Sequence, residues 1–214
     1  MARTATKHSI FINCPFDPQF QRFLRAILFT VCALGCKPRS ALEESDSSTL
    51  RLEKIYKLIK SCRFSIHDLS RTEVTPSTGM PRFNMPLELG IFLGFKRAES
   101  GKPRKKTCLI FVKDKHSMSF ITDLNGMDLE GHQDTPEKVI SPIRNWLCND
   151  AKIDGLAASL IRGHYKKFEA TFETIVKEAG FQLEEVQYGD VLQIIGNWLE
   201  NNPLKIPASA PQGV

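Results

Sequence analysis

Residues 9–18 read SIFINCPFDP, a short β-rich apolar run that meets Cys14-Pro15 and then Asp17-Pro18. The run predicts a strand over Ser9–Asn13. Asp17 is a helix-capping residue and Pro18 suits a first helical turn, so a helix should open there and continue through Leu34, with Gly35 closing it. The same alternation repeats downstream. Lys37 to Leu42 reads as a short, weak strand, and Ser47 and Ser48 give a cap signal before RLEKIYKLIKSC, where Leu52, Ile55, Tyr56 and Ile59 recur at helical spacing. Phe64 to Leu69 (FSIHDL) is a further strand. A polar loop with Pro76, Gly79 and Pro81 then leads to Asn84, expected to cap the apolar helix MPLELGIFLGFKRA, and residues 101–106 turn into the apolar strand TCLIFVKD. Strands alternating with helices predict an α/β fold, a flavodoxin-like or Rossmann-like parallel sheet with helices on both faces.

From about His116 the pattern changes. A turn-rich, acid-bearing stretch leads to Thr135-Pro136, which starts a helix through Ile143, Trp146 and Leu147. Residues 156–179 read as a long amphipathic helix with Leu160, Phe168, Phe172 and Ile175 on one side, and 191–199 as a short one. The chain thus divides into an α/β domain over 8–115, a helical extension over 116–202 that brings no new strands and packs on it, and a loose Pro-rich tail over 203–214.

Composition narrows the function classes. The 214 residues are 42% apolar and 25% charged, as in an ordinary globular protein. The net charge of +5 suits an anionic ligand and is too small to mark a nucleic-acid binder. Six cysteines are spread without a CxxC pair or a nearby histidine cluster, which argues for reduced, buried thiols and against zinc. No secretory signal and no apolar run of about 20 residues is seen, so a cytoplasmic protein with no membrane partner is expected.

In an open parallel sheet, ligands bind beyond the carboxyl ends of the strands where strand order reverses. With the first strand central, that point brings Asn13-Cys14-Pro15-Phe16-Asp17 opposite His67-Asp68-Leu69-Ser70. Asp17 reads first as a helix cap, and Asp68 equally as a turn cap or a ligand contact. Glu88 is the sharpest feature. It is the sole ionisable residue between Phe83 and Phe95, on a helix so apolar that its carboxylate must be paired, hydrogen-bonded or aimed into a cavity. Such a carboxylate suits nucleophilic or acid–base work at a glycosidic carbon. A second group, Asp123, Asp128, Glu130, His132 and Asp134, reads either as a solvated loop or as a loop over the pocket with His132 as an acid–base group; the spacing of a calcium loop is absent. Lys102, Arg104, Lys105 and Lys106 read as a solvated basic turn.

The order IFINCPFD, SIHDLS, MPLELGIFLGF and TCLIFV resembles the nucleoside 2-deoxyribosyltransferase-like group and its TIR-like relatives, over roughly Ser9 to Lys113. The resemblance implies that Glu88 is the catalytic glutamate, that Asp68 contacts base or ribose, and that Phe11 with Cys14 to Phe16 floors the pocket. Two departures matter: Phe11 stands where the transferases carry tyrosine, and Arg82-Phe83-Asn84-Met85 replaces their D-x-G-T run. With Arg71 and Arg82 bracketing the loop, a phosphate-bearing ligand fits better than a free nucleoside. The TIR-like relatives cleave the nicotinamide–ribose bond of NAD, often in bacterial antiphage defence. The expectation is therefore an NAD or nucleotide N-glycosidase with no cofactor beyond NAD as substrate. Its catalytic residues would be Glu88 and Asp68, and its substrate-binding residues Phe11, Asn13, Cys14, Pro15, Phe16, Asp17, Arg71, Arg82, Asn84 and His132. A homo-oligomer or a partner defence protein is expected, with weak activity alone and gain on assembly. The alternatives are a non-catalytic, self-associating nucleotide sensor and a nucleoside deoxyribosyltransferase.

Overall fold

Strand β1 (Ser9–Asn13) lies inside the sheet with a parallel partner on each side. In the computed structural model, which describes residues 8–71, 74–75, 79–99, 101, 105–115, 121–124 and 126–204, β1 pairs with β2 (Lys37–Arg39) and with β3 (Phe64–Asp68). Phe11 lies opposite Arg39 and Ser65, and Asn13 opposite His67. Three two-residue strands complete the set: β4 (Val74–Thr75) and β5 (Met80–Pro81), which pair antiparallel, and later β7 (Glu130–Gly131), which joins the far side of β6 (Thr107–Val112). The main sheet is parallel throughout, in the order β2-β1-β3-β6-β7. Strand order reverses between β1 and β3, as in the flavodoxin-like arrangement, and this is where a ligand crevice is expected.

The helices divide between the two faces. On one face lie α2 (Arg51–Ser61) and α3 (Asn84–Ala98), where Ile55, Leu58, Ile59 and Phe92 enclose Phe11. On the other, α1 (Gln21–Ala33) and α4 (Ile140–Asp150) meet Ile10, Ile12, Phe64 and Ile66. Alternation of side chains along β1 and β3 makes this division: even-numbered residues face α1, odd-numbered ones face α2 and α3. Outside α1 lie α5 (Ala158–Glu178) and α6 (Tyr188–Asn201), which share one continuous core with it. Phe29 of α1 is ringed by Tyr165, Phe168 and Trp198, and Arg25 forks onto Glu169 at 2.5 and 2.9 Å while covering the Phe172 ring.

Local chemistry explains the differences from expectation. The second strand ends at Arg39 because Ser40 begins a capping box with Glu43 and turns the chain into a 3-10 segment. Asn84 does not cap α3: it is the first helical residue, and Phe83 holds the cap position with no side-chain bond. Strand β7 is new, since its two residues come from the acid-bearing turn region and are strand only through pairing with Phe111 and Val112. Buried Lys106 sets its ammonium on the carbonyls of Ile59 and Cys62, 2.7 Å from each, and so closes the end of α2. Pro76, Lys102, Arg104 and residues 205–214 lie outside the described residues. Among the described residues no helix is long and apolar enough to cross a membrane.

Candidate functional site

At the carboxyl end of β1 the chain opens a cavity of about 390 Å³, within the usual range for small-molecule sites. Its wall is made by residues 13–17, by Asn84, Met85 and Glu88 of α3, and by Arg51 and Arg82. The first turn of α3 is tied to the sheet through one side chain. Asn13 donates from Nδ2 to the Met85 carbonyl and to Nδ1 of His67, 2.9 Å in each case. His67 bonds Ser65 Oγ through Nε2 at 2.8 Å. Since Nδ1 accepts, the proton sits on Nε2 and His67 is neutral. Complete burial agrees, holding its pKa down to about 3. The network Ser65–His67–Asn13–Met85 therefore fixes the height of α3 above the sheet without using a charge.

One turn beyond Met85, Glu88 reaches the cavity wall. It is 8% exposed, and burial raises its pKa from an ordinary 4.5 to about 7, with Arg51 pulling the other way. At neutral pH it is divided between acid and carboxylate, ready for either proton exchange or charge stabilisation. Cys14, also in the wall, is pushed well above the ordinary thiol value by burial and by the carboxylates of Asp68, Glu88 and Asp17. It stays a thiol and is no nucleophile here. Asp17 fulfils its capping role, accepting from the Phe20 amide at 3.2 Å, and also pairs with Arg82 at 2.7 Å.

Several expected residues lie elsewhere. Phe11 is no part of the floor: it is fully buried among α2 and α3, edge-on to His67. Asp68 is even-numbered on β3 and so points to the α1 face, away from Glu88; it does not line the cavity. Its Oδ1 accepts from the amide and hydroxyl of Ser70 at 2.9 and 2.6 Å, and its Oδ2 lies 3.4 Å from His132 Nε2. His132 is 1% exposed and rests against Phe23 at 4.5 Å, so it is a buried partner of Asp68 rather than a lid group. Two successive left-handed residues, Gln133 and Asp134, fold the Asp134 amide back onto His132 Nδ1. Arg71 acts on the Asp134 carboxylate, which pairs with Lys113 at 2.7 Å, and is not in the cavity wall. Sequence reasoning passed over Arg51, the first residue of α2, which takes the place expected of Arg71. Its signal was its position at a helix start beside the same sheet edge.

A second cleft of about 410 Å³ lies between α5 and α6. Its carboxylate, Asp190, is engaged by the Gln187 amide at 2.8 Å in capping α6. The cleft carries no ionisable group like Glu88, so the chemistry favours the β1 crevice. Among the described residues no cluster of His, Cys, Asp and Glu is placed to hold a metal ion. Neither a protein-family model nor a curated protein matches the chain.

Proposed function

We propose that the protein is an N-glycosidase that cleaves the nicotinamide–ribose bond of NAD or a related nucleotide. The observation that carries this reading is Glu88: a buried carboxylate with its pKa raised to about 7, in the wall of a cavity at the strand-order reversal. The scissile bond of NAD joins C1′ to a positively charged pyridinium nitrogen. A pyridinium ring in the cavity would draw Glu88 to its ionised form and offset the cost of its burial. When the C1′–N bond breaks, its electron pair stays on nicotinamide, which leaves neutral, and the positive charge passes to the ribosyl C1′–O4′ unit. The Glu88 carboxylate would stabilise that charge or bond to C1′, and water would then add at C1′ with loss of a proton. The leaving group needs no proton, so no second acid is required and Asp68 is assigned no step. Arg51 and Arg82 border the cavity and offer guanidinium groups to the phosphates. Incubating the purified protein with NAD and following free nicotinamide tests this. Release by the wild type and at least a hundredfold loss in Glu88→Gln is expected; no release, or equal release by the variant, refutes it.

The alternative is a nucleotide sensor that self-associates without catalysis. The Asp17–Arg82 ion pair favours it, because a phosphate arriving at Arg82 would compete with Asp17 and loosen the segment after β1. That reading predicts a nucleotide-dependent rise in melting temperature with no product formed.

A further inference from the structure

The polar side chains of the cavity wall fall into two sets. Asn13, Asp17 and Arg82 are committed to the protein: Asn13 donates to His67 and to the Met85 carbonyl, and Asp17 accepts from the Phe20 amide and pairs with Arg82. The side chains of Arg51, Asn84 and Glu88 make no hydrogen bond among the described residues. A guanidinium, a carboxamide and a carboxyl are thus left to face one space. The function proposed above uses the first and the last and gives the carboxamide no task.

Asn84 and Glu88 stand one helical turn apart on α3, at positions whose Cβ atoms lie about 6 Å from each other. Helical side chains lean toward the helix N-terminus, so the longer Glu88 reaches back over the turn that carries Asn84. Asn84 is exposed and Glu88 buried, and a ligand group that meets both must come from the cavity. Once ionised, the Glu88 carboxylate offers only acceptors, while the Asn84 amide nitrogen offers donors. The group that matches such a pair is one that both donates and accepts. A hydroxyl does this, giving its proton to a Glu88 oxygen and accepting from Asn84 Nδ2.

We propose that Asn84 reads the 2′-hydroxyl of the ribose whose C1′ lies at Glu88, and so restricts the site to ribonucleotides. This rests on the glycosidase reading, which sets C1′ at the Glu88 carboxylate. The 2′-hydroxyl is then the nearest hydroxyl to that carboxylate, because the carbon that carries it is bonded to C1′. One Glu88 oxygen faces C1′, the other accepts from the hydroxyl, and Asn84 Nδ2 completes the bridge. Hydrogen bonds at this position strengthen as positive charge develops on the sugar ring, so the contact acts on rate as well as on binding. A 2′-deoxy sugar leaves the Asn84 amide and a Glu88 lone pair without their shared partner. Losing a hydroxyl from a site built to bond it costs more than losing a methylene from an apolar pocket. A nucleoside deoxyribosyltransferase has the opposite need, since its sugar carries no hydroxyl there.

The test compares nicotinamide release from NAD with release from the analogue lacking the 2′-hydroxyl on the nicotinamide-bearing ribose, in wild type and in Asn84→Ala. The two sugars differ in intrinsic reactivity, but that difference is common to both proteins and cancels between them. Asn84 is an exposed helical residue and alanine favours a helix, so the variant should fold as the wild type does. The preference for the ribose in kcat/KM should fall by about tenfold or more in Asn84→Ala, whereas a merely structural role would lower release from both substrates alike. Calorimetry of the same two ligands on Glu88→Gln, with and without Asn84→Ala, reads the preference without turnover. If wild type releases nicotinamide and Asn84→Ala keeps the full preference, the role of Asn84 is overturned and the glycosidase reading stands. If wild type releases none but the binding preference still falls about tenfold without Asn84, the glycosidase reading fails and the hydroxyl contact stands. No release together with an unchanged binding preference overturns both.

Discussion

Replacing Glu88 with glutamine should make the protein more stable as it removes the proposed activity. Glutamine has the shape of the protonated acid and cannot ionise. Folding raises the pKa of Glu88 from 4.5 to about 7, so the folded state keeps a proton that the unfolded chain releases across that interval. The stability linked to this group is therefore full below about pH 4.5, declines as pH rises, and is lost above about pH 7. At about 1.4 kcal/mol per tenfold change in proton affinity, the penalty reaches about 3 kcal/mol above pH 7 and only about 1 kcal/mol at pH 5. The side chain is 8% exposed, so solvent screening trims this little. Urea unfolding of wild type and Glu88→Gln at pH 5 and pH 8 measures the difference. The variant should gain about 2 kcal/mol more, relative to wild type, at pH 8 than at pH 5. Other groups that titrate in this range, His67 among them, contribute equally to both proteins and cancel. A gain independent of pH, or a loss at pH 8, would refute the view that Glu88 is held in a desolvating wall.

Three further outcomes follow from the same geometry. Arg51→Gln removes the charge that lowers the Glu88 pKa, so the acid limb of a pH–rate profile for nicotinamide release should move to higher pH; a shift to lower pH, or none, contradicts the pairing. Asn13→Ala leaves His67 Nδ1 and the Met85 carbonyl without their donor. It should cost about 2 kcal/mol in urea unfolding and reduce nicotinamide release further than the stability loss explains, because the first turn of α3 is freed. Asp68→Asn turns an amide donor either toward the Ser70 amide and hydroxyl or toward His132 Nε2, 3.4 Å away, and should likewise cost about 2 kcal/mol. Release per folded molecule should stay within a few fold of wild type, and a thousandfold loss would return Asp68 to the chemistry.

The parallel sheet and the position of its crevice were legible because they follow from local signals: SIFIN, FSIHDL and TCLIFV are apolar runs set between capped helices. Glu88 was legible for the same kind of reason, a single acid in an apolar helix. What the sequence hid depends on parity and on distant pairing. Asp68 and His67 are neighbours in the chain and stand on opposite faces of the sheet, so a strand-end acid at the right edge still looks away from the cavity. No local pattern marks His132 as its partner, because β7 exists only through its ladder to β6. Arg51 was hidden by its helix, whose regular spacing drew attention to the apolar face and away from the first residue.

The consequence for mechanism lies in the division of polar groups between the two sheet faces. Toward α1, Asp68, Ser70 and His132 are buried and engaged with one another, which suits them to locking β7 and the segment after β3 in place. Toward α3, the polar side chains behind the cavity are neutral, since His67 and Asn13 carry no charge, and Cys14, in the cavity wall but packed in the α1-side core, remains a thiol. Burial raises the Glu88 pKa to about 7, and Arg51 opposes this desolvation only in part. A cationic group entering the cavity supplies the missing charge. This makes ionisation of Glu88 responsive to what the site holds, and it predicts that a neutral analogue with a carbocyclic, uncharged nicotinamide mimic will bind best below about pH 7, whereas a pyridinium ligand will bind best above it. Calorimetric titration of both ligands between pH 6 and pH 8 decides the matter, and parallel pH dependences for the two would show that Glu88 does not face the ligand.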